Sequence, residues 1–121
     1  MNFSLKDFGN LGEDLVEKYL AKNNWEILNR NFRIGHLEID IIAKDQNEIV
    51  FVEVKTRTSY MLDAPDWALT SRQSQRIKRA ILLYSENKEI SLEKIRFDLV
   101  VVFLNKVTRK ASLKHYIDIL K

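Results

Sequence analysis

Hydrophobic residues change their spacing several times along the chain, and these changes predict alternating helices and strands. In residues 11–23 the apolar positions recur at helical spacing and therefore share one face of a helix. These positions are Leu11, Leu15, Val16, Tyr19 and Leu20. Gly12 lies within the same stripe, which indicates close packing against a neighbouring element. Asn23 and Asn24 predict the end of this helix.

Five segments predict β-strands. They span residues 25–33, 37–44, 48–57, 96–104 and 112–120. The second and third are rich in Ile and Val, as strands usually are. Gly35, the polar cluster at 45–47 and the polar residues at 105–110 mark the turns between consecutive strands.

A second helix is predicted between the third and fourth strands. It follows a looser stretch at residues 58–66 that contains Pro65, begins at Trp67 or Ser71, and ends near Asn87. Its inward face is predicted to carry Ile77, Ala80, Ile81 and Tyr84. The element order is αβββαββ, and a strand–helix–strand crossover implies a mixed sheet in which the fourth strand runs parallel to a neighbour. The helices are expected to cover the sheet faces.

Composition narrows the class of protein. The chain has 121 residues, of which 45% are hydrophobic, so we expect one globular domain over residues 1–121. It has no cysteine, which excludes disulfides and thiolate metal sites. Neither a signal peptide nor a membrane span is recognisable, so we expect a cytoplasmic protein without membrane association. A net charge of +3 permits a polyanionic partner without requiring one.

Four charged residues on the second and third strands form the most informative pattern. If the hairpin closes with a two-residue loop at Gln46 and Asn47, Asp40 lies opposite Glu53, and Glu38 lies opposite Lys55. All four side chains then share one face, while Ile39, Ile41, Val52 and Val54 make the other face apolar. A slip of one residue in register would destroy this grouping.

Two carboxylates opposite each other repel, and burying them costs more unless a cation or a hydrogen-bond donor compensates. Mg²⁺ binds one or two carboxylates together with water and phosphate, and it can activate water against a phosphate ester. Lys55 would point the same way, where it can position water or neutralise charge. The alternative is a surface patch in which Glu38 pairs with Lys55 while Asp40 and Glu53 are hydrated.

Several motifs together resemble a known family. They are Gly9-Asn10-Leu11-Gly12-Glu13, Asn29-Arg30-Asn31-Phe32-Arg33, Glu38-Ile39-Asp40-Ile41-Ile42-Ala43, Val50-Phe51-Val52-Glu53-Val54-Lys55-Thr56-Arg57 and Arg96-Phe97-Asp98-Leu99-Val100. Over about residues 8–120 the chain resembles the bacterial YraN-like family. That family belongs to the restriction-endonuclease-like PD-(D/E)xK superfamily and is similar to archaeal Holliday junction resolvases. The resemblance implies a restriction-endonuclease-like mixed β-sheet flanked by helices.

The resemblance also implies residue roles. Asp40 and Glu53 match metal ligands, Lys55 matches the catalytic lysine, and Glu13 matches a helix glutamate that completes the site in resolvase-like members. Glu13 can equally be a first-turn acid favoured by the helix dipole. Two positions depart from the family pattern: Leu37 replaces the usual glycine, and Gln73-Ser74 replaces the common Lys-Gln. Gln73 can still orient water or contact phosphate, but it lacks the charge.

Basic residues near these motifs suit a nucleic-acid partner. Arg72, Arg76 and Arg79 form one stripe along the second helix, whereas Arg57 follows Lys55 and Arg33 lies on the first strand. Such a stripe beside a metal site suits contacts with the phosphate backbone, although a solvated helix face has the same pattern. No base-reading helix is recognisable, so we expect recognition of DNA structure rather than DNA sequence.

Three functions remain open at this stage. The first is a Mg²⁺- or Mn²⁺-dependent endonuclease that cleaves branched or other non-duplex DNA. The second is a non-catalytic DNA-binding module on the same fold, as the Gln73-Ser74 departure suggests. The third is a hydrolase of nucleotides or other small phosphate esters. The resolvase resemblance also raises the option of a homodimer, with the last strand as its interface.

Overall fold

The fold is an α/β sheet with one helix on each face, seen in a computed structural model that describes residues 5–58 and 69–120. The helices are α1 (Leu5–Lys22) and α2 (Ser71–Lys88). The strands are β1 (Glu26–Ile34), β2 (Leu37–Asp45), β3 (Glu48–Thr58), β4 (Ile95–Leu104) and β5 (Ala111–Tyr116). The predicted order αβββαββ is therefore confirmed, with a short 3₁₀ turn at Leu92–Lys94 in addition.

Two predicted boundaries are wrong, and one prediction falls largely outside the described residues. Helix α1 begins at Leu5 rather than Leu11. Strand β5 ends at Tyr116 rather than Leu120, because Asp118 has a left-handed φ of 57° that breaks extended structure. The predicted loose stretch at 58–66 and the alternative helix start at Trp67 lie outside the described residues, apart from Thr58, which ends β3.

Strand order in the sheet is β1-β2-β3-β4-β5. Strands β3 and β4 pair in parallel, and the other three pairs are antiparallel. A parallel pair needs a crossover that returns the chain to the starting edge, and α2 lies in that connection. The mixed sheet expected from the strand–helix–strand order is thus confirmed.

Two apolar clusters hold the helices to opposite faces of the sheet. The first joins Val16 and Leu20 of α1 to Ile41, Val50 and Val100. The second joins α2 to the other face of the sheet through Ile77, Ala80, Ile81 and Tyr84, the four residues predicted to face inward. Alternation along β3 produces this division, since Val50 and Val52 face α1 while Ile49 and Phe51 face α2.

At one end the sheet separates into two arms, one formed by β1 and β2 and the other by β3 and β4. The β2–β3 ladder follows the predicted register from Asp45–Glu48 to Ile41–Val52 and stops there. The β1–β2 ladder continues to Ile34–Leu37, and the β3–β4 ladder continues to Thr58–Leu104. The prediction that Asp40 pairs with Glu53 and Glu38 with Lys55 is therefore wrong as a statement of backbone pairing, because the strands have diverged at that point.

Ile39 also lies on a different face from the one predicted. It packs in the α2 cluster, whereas Ile41 and Val52 pack in the α1 cluster, with Val54 at its border. The neighbouring strand carries a matching irregularity, because Asn31 has a φ of 54° between Arg30 and Phe32, which pair with Ile41 and Ile39. Along β2 the side chains therefore change sides at Asp40, so that Ile39 faces α2 whereas Ile41 faces α1.

Candidate functional site

The carboxylate of Asp40 lies at the point where β2 and β3 diverge. Its Oδ2 accepts a hydrogen bond of 2.8 Å from the backbone N–H of Val54. In a continued ladder, backbone groups of β2 would supply the hydrogen-bond partners on this side of β3. Here a side chain satisfies the Val54 donor instead, which fixes the carboxylate in the opening between the arms.

The electrostatic surroundings of Asp40 disfavour its negative charge. Burial has the largest effect and raises its pKa, the hydrogen bond from Val54 opposes that rise, and the carboxylates of Glu13, Glu53 and Glu38 add to it. The outcome is a pKa of about 6 against an ordinary value of 3.8. A carboxyl group in such surroundings gains from any cation placed beside it.

Glu53 and Lys55 lie on β3 close to this point, and alternation directs both towards the α2 face. The ammonium Nζ of Lys55 lies 3.7 Å from Oε1 of Glu53. Both side chains are partly exposed, at 26% for Lys55 and 33% for Glu53. The pair can therefore reach a bound molecule without first being uncovered.

A pocket lies between the two arms and the first turns of α2. Its polar lining comes from the side chains of Glu38, Asp40, Glu53, Gln73 and Arg76, and its apolar lining from Leu37, Ile39, Val52, Ile77 and Phe97. Four residues predicted for the site, namely Asp40, Glu53, Gln73 and Arg76, therefore meet in one cavity. Leu37, which replaces the usual family glycine, contributes an apolar wall.

Gln73 has a structural role in addition to its place in the pocket. Its Oε1 accepts a hydrogen bond of 3.0 Å from the Thr70 N–H, while the Thr70 hydroxyl accepts one of 3.1 Å from the Gln73 N–H. This capping box starts α2. The amide NH₂ of Gln73 remains available to donate to a bound phosphate, but its carbonyl oxygen is already used.

Glu13 approaches the site from the other face, on α1. Its side chain is 15% exposed, and its Oε1 accepts from Nε of Arg30 at 3.4 Å. It is near enough to Asp40 for its charge to raise the pKa of that carboxyl. The charge of Glu13 therefore acts on the candidate site.

A glycine allows α1 to come this close. A Cβ atom added at Gly12 would lie 2.0 Å from Oγ1 of Thr56 on β3, far inside contact distance. The close packing expected from Gly12 is therefore confirmed.

The remaining basic residues are more scattered than the sequence predicts. Arg72 and Arg79 are exposed on α2 outside the pocket lining. Arg33 is 77% exposed on its side chain, and its Nη2 lies 3.9 Å from Oε2 of Glu38. Arg57 donates a hydrogen bond of 2.9 Å to the carbonyl oxygen of its neighbour Thr56. Only Arg76 of this group touches the pocket.

The donor set suits a hard divalent cation. Asp40 and Glu53 offer carboxylate oxygens to one cavity, and the charge penalty on Asp40 is of the kind a cation removes. Across residues 5–58 and 69–120, no three His, Cys, Asp or Glu side chains converge into a complete metal cage. Mg²⁺ commonly uses one or two carboxylates and takes its other ligands from water and phosphate, so the residues fit that ion.

Two features of the site were not predicted from the sequence. The Val54 N–H is a backbone donor, and nothing in the residue types marks a ladder that stops early. Arg30 appeared only within a family motif, yet it contacts three carboxylates of α1, which are Glu13, Asp14 and Glu17. The acidic spacing along α1 was the available signal, because like charges three or four residues apart on a helix repel and a nearby cation relieves that repulsion.

Comparisons with known proteins find a distant likeness to solved structures and a closer one to protein sequences. Two solved structures with low similarity are that of Pyrococcus furiosus SfsA in complex with Ca²⁺, at 17% identity and a TM-score of 0.45, and that of an XisH family protein from Nostoc punctiforme, at 14% and 0.41. They cover 89% and 88% of this chain, and this chain covers 62% and 98% of theirs.

Sequence relatives are much closer. A UPF0102 protein of Clostridium botulinum (strain Loch Maree / Type A3) is 42% identical over 115 residues, which is 94% of either chain. A UPF0102 protein of Oleidesulfovibrio alaskensis is 46% identical over 94 residues, covering 78% of this chain and 46% of that protein. Residues 12–102 match the model of uncharacterised protein family UPF0102. The chain belongs to the uncharacterised protein family UPF0102.

Proposed function

We propose that this protein is a metal-dependent endonuclease of the restriction-endonuclease-like PD-(D/E)xK superfamily, within its YraN-like branch. It hydrolyses phosphodiester bonds in branched or other non-duplex DNA, with Mg²⁺ or Mn²⁺ as cofactor. One observation carries the proposal: the half-buried carboxylate of Asp40 lies in an opening between strands and shares one pocket with Glu53, which in turn contacts Lys55.

Each side chain has a definite task in this proposal. Asp40 and Glu53 hold the cation, and Glu13 completes its surroundings from α1. When bound, the cation supplies a Lewis acid to a phosphate oxygen. The ammonium group of Lys55 donates a hydrogen bond to the attacking water and so orients it. Its positive charge also stabilises the negative charge that develops on the phosphate. Water would form the new P–O bond and lose one proton to solvent, while the bridging P–O bond breaks and its oxygen takes a proton from solvent. The products are a phosphate monoester on one side and a hydroxyl on the other.

The basic residues of α2 supply contacts with the DNA backbone. Arg76 lines the pocket and is placed to meet the phosphate that is cleaved, while Gln73 can donate from its amide to the same group. Arg72 and Arg79 continue the stripe outwards and would contact neighbouring phosphates. Arg33 and Arg57 lie on the arms at either side. Such contacts read the path of the backbone and so favour recognition of DNA structure.

The test is a cleavage assay on a panel of DNA structures with Mg²⁺ and Mn²⁺. Junction, flap, single-stranded and duplex substrates are incubated with the purified protein, with Asp40→Asn and Glu53→Gln as matched controls. We expect cleavage of at least one branched or single-stranded substrate, complete dependence on the metal, and no cleavage by either variant. Absence of cleavage with every substrate, or an active Asp40→Asn protein, contradicts the proposal.

A second candidate is a non-catalytic DNA-binding module on the same fold. It is favoured by Gln73, which takes the place of a family lysine and spends its carbonyl oxygen on the helix cap. This candidate predicts DNA binding that depends on salt and is indifferent to divalent metal. Calorimetric binding of Mn²⁺ that is lost in Asp40→Asn decides against it.

Two further expectations accompany the nuclease proposal. The protein acts in the cytoplasm, and it forms a homodimer through its last strand. β5 lies at one edge of the sheet, and an edge strand can pair with a strand of a second copy. Among the described residues, no helix is both long and apolar enough to cross a membrane.

A further inference from the structure

Arg30 of β1 is the centre of a group of acceptors on α1. Its guanidinium contacts Glu13 Oε1 at 3.4 Å through Nε, and Asp14 Oδ1 at 2.6 Å and Glu17 Oε2 at 3.1 Å through Nη1. Nη2 also donates to the backbone carbonyl of Asn10 at 3.4 Å. One side chain thereby links a full turn of α1 to the first strand.

The three carboxylates are not equivalent. Asp14 and Glu17 are 54% and 38% exposed, and their contacts with Arg30 face solvent. Glu13 is 15% exposed, and its charge acts on the carboxyl of Asp40. The two outer carboxylates therefore anchor the guanidinium, while its Nε is directed at the inner one.

Only one oxygen of Glu13 is engaged. Oε1 takes the contact from Arg30, which leaves Oε2 without a hydrogen-bond partner among the described residues. Arg30 pairs with Ile41, the residue next to Asp40, so the guanidinium and the pocket share one stretch of strand. A carboxylate held by one oxygen in this way can present the other to a cation in a fixed direction.

We propose that Arg30 is a positioning residue, which holds Glu13 so that its free oxygen faces a divalent cation bound at Asp40 and Glu53. The proposal rests on the proposed function, because it assumes the metal site. It assigns to Arg30 a role within the protein, instead of the contact with DNA that its charge alone would suggest.

Charge and position have opposite effects on metal affinity, and this difference makes the proposal testable. Removal of a positive charge near the site would strengthen cation binding if charge were the only effect. Loss of the guanidinium fork would weaken it if the fork orients Glu13, and a lysine cannot replace the fork. Arg30→Lys keeps the charge and Arg30→Gln removes it. The two variants should therefore show the same change in metal affinity only if the position of Glu13 matters more than the charge.

The experiment is calorimetric titration of Mn²⁺ into the full chain. Wild type, Arg30→Lys, Arg30→Gln, Glu13→Gln and the Arg30→Gln/Glu13→Gln double variant are compared, with thermal melts to verify folding. Asp14→Asn and Glu17→Gln, each made alone, are the matched controls, since each leaves Arg30 one outer carboxylate. We expect both Arg30 variants and Glu13→Gln to weaken Mn²⁺ binding roughly tenfold. The double variant should lose no more than Glu13→Gln, and the controls should stay within about twofold of wild type.

Several outcomes overturn the inference. Wild-type affinity in Arg30→Lys, or tighter binding in Arg30→Gln, assigns the effect to charge. Equal losses of Mn²⁺ affinity in the two control variants would mean that Arg30 acts by holding α1 against β1 in general. In both cases wild-type Mn²⁺ binding leaves the proposed metal site intact. If the wild-type protein itself binds no Mn²⁺, the metal site of the proposed function fails together with this inference.

Discussion

Two aspartates of the sheet, the half-buried Asp40 and the fully buried Asp98, experience opposite electrostatic environments. Asp40 has one N–H donor and three carboxylates around it, and its pKa rises. Asp98 on β4 is fully buried, but it contacts Arg96 at 3.1 Å and His115 at 2.7 Å and accepts from the Asp118 N–H at 2.9 Å. Burial of Asp98 opposes ionisation, and these contacts outweigh it, so its pKa lies below the ordinary value.

Replacement of Asp40 by Asn should stabilise the metal-free protein. Asparagine keeps an oxygen for the Val54 N–H but carries no charge, so it avoids the burial penalty. Since the folded pKa of about 6 exceeds 3.8, the aspartate costs the native state up to about 3 kcal/mol above pH 6. That cost disappears as the pH falls towards 4.

Urea unfolding of wild type and Asp40→Asn with a metal chelator, at pH 8 and at pH 4.5, measures this effect. The gain in the free energy of unfolding of Asp40→Asn over wild type should be large at pH 8 and small at pH 4.5. Glu86→Gln, a change at an exposed carboxylate of α2, is the control and should show no such gain. A less stable Asp40→Asn protein at pH 8 would mean that the carboxylate is already compensated.

Replacement of Asp98 by Asn should have the opposite effect. The change leaves Arg96 and His115 without their buried anion, and removal of one partner from a buried pair costs about 3–5 kcal/mol. Because the pKa of Asp98 is lowered on folding, its contribution is complete above the unfolded pKa and is lost as the pH falls through the folded one.

Denaturant unfolding between pH 7 and pH 2 should therefore show the two proteins converge in acid. Asp45→Asn is a matched control, since Asp45 is 29% exposed and contacts Arg96 only at 3.5 Å. A constant difference across the whole pH range would show that Asp98 acts through packing and neutral hydrogen bonds rather than through its charge.

At the scale of elements, the approach of α1 to β3 depends on a single missing side chain. Alanine at position 12 should destabilise the fold by about 1–3 kcal/mol, because its Cβ would overlap Oγ1 of Thr56. Helix propensity alone predicts the reverse, a gain of about 1 kcal/mol for alanine over glycine. Thermal unfolding gives the sign, and a Gly12→Ala/Thr56→Ala double variant should recover much of the loss. A neutral Gly12→Ala would mean that the helix can shift without cost.

In the proposed nuclease, two arginines of α2 would have different tasks, one in the cleavage step and one in DNA binding. Arg76 lines the pocket, and Arg79 lies on the same stripe outside it, so the two provide a matched pair. Arg76→Gln should lower the single-turnover cleavage rate roughly tenfold or more, whereas Arg79→Gln should mainly weaken DNA binding and reduce its salt dependence by about one phosphate contact. Equal rates in the two variants would remove Arg76 from the site.

Much of this arrangement follows from the sequence. Helical spacing predicted the apolar faces of α1 and α2 that pack on the sheet. The hairpin register from Asp45 to Ile41 was also correct. The early end of the ladder was not predictable, because Asp40 replaces a backbone partner through its side chain. The altered face of Ile39 was also hidden, since it follows from the left-handed φ of Asn31, a residue type that merely tolerates this conformation.

At the scale of the whole molecule, the two ends of the β2–β3 hairpin differ. Near its turn, Arg96 contacts Glu48 at 2.7 Å and Asp45 at 3.5 Å, and it also lies over the ring of Trp25. At the other end the backbone ladder is absent, and the Asp40 carboxylate is the link between β2 and β3 that the structure records there.

In mechanical terms the hairpin is clamped at its turn and open at its far end. Within the described residues, no backbone pair of the β2–β3 ladder beyond Ile41 and Val52 fixes the angle between the β1–β2 arm and the β3–β4 arm. A cation shared by Asp40 and Glu53 would bridge the two arms and set that angle. In the proposed nuclease the ion itself would then adjust the depth of the pocket, and so the width of the DNA strand that the pocket admits.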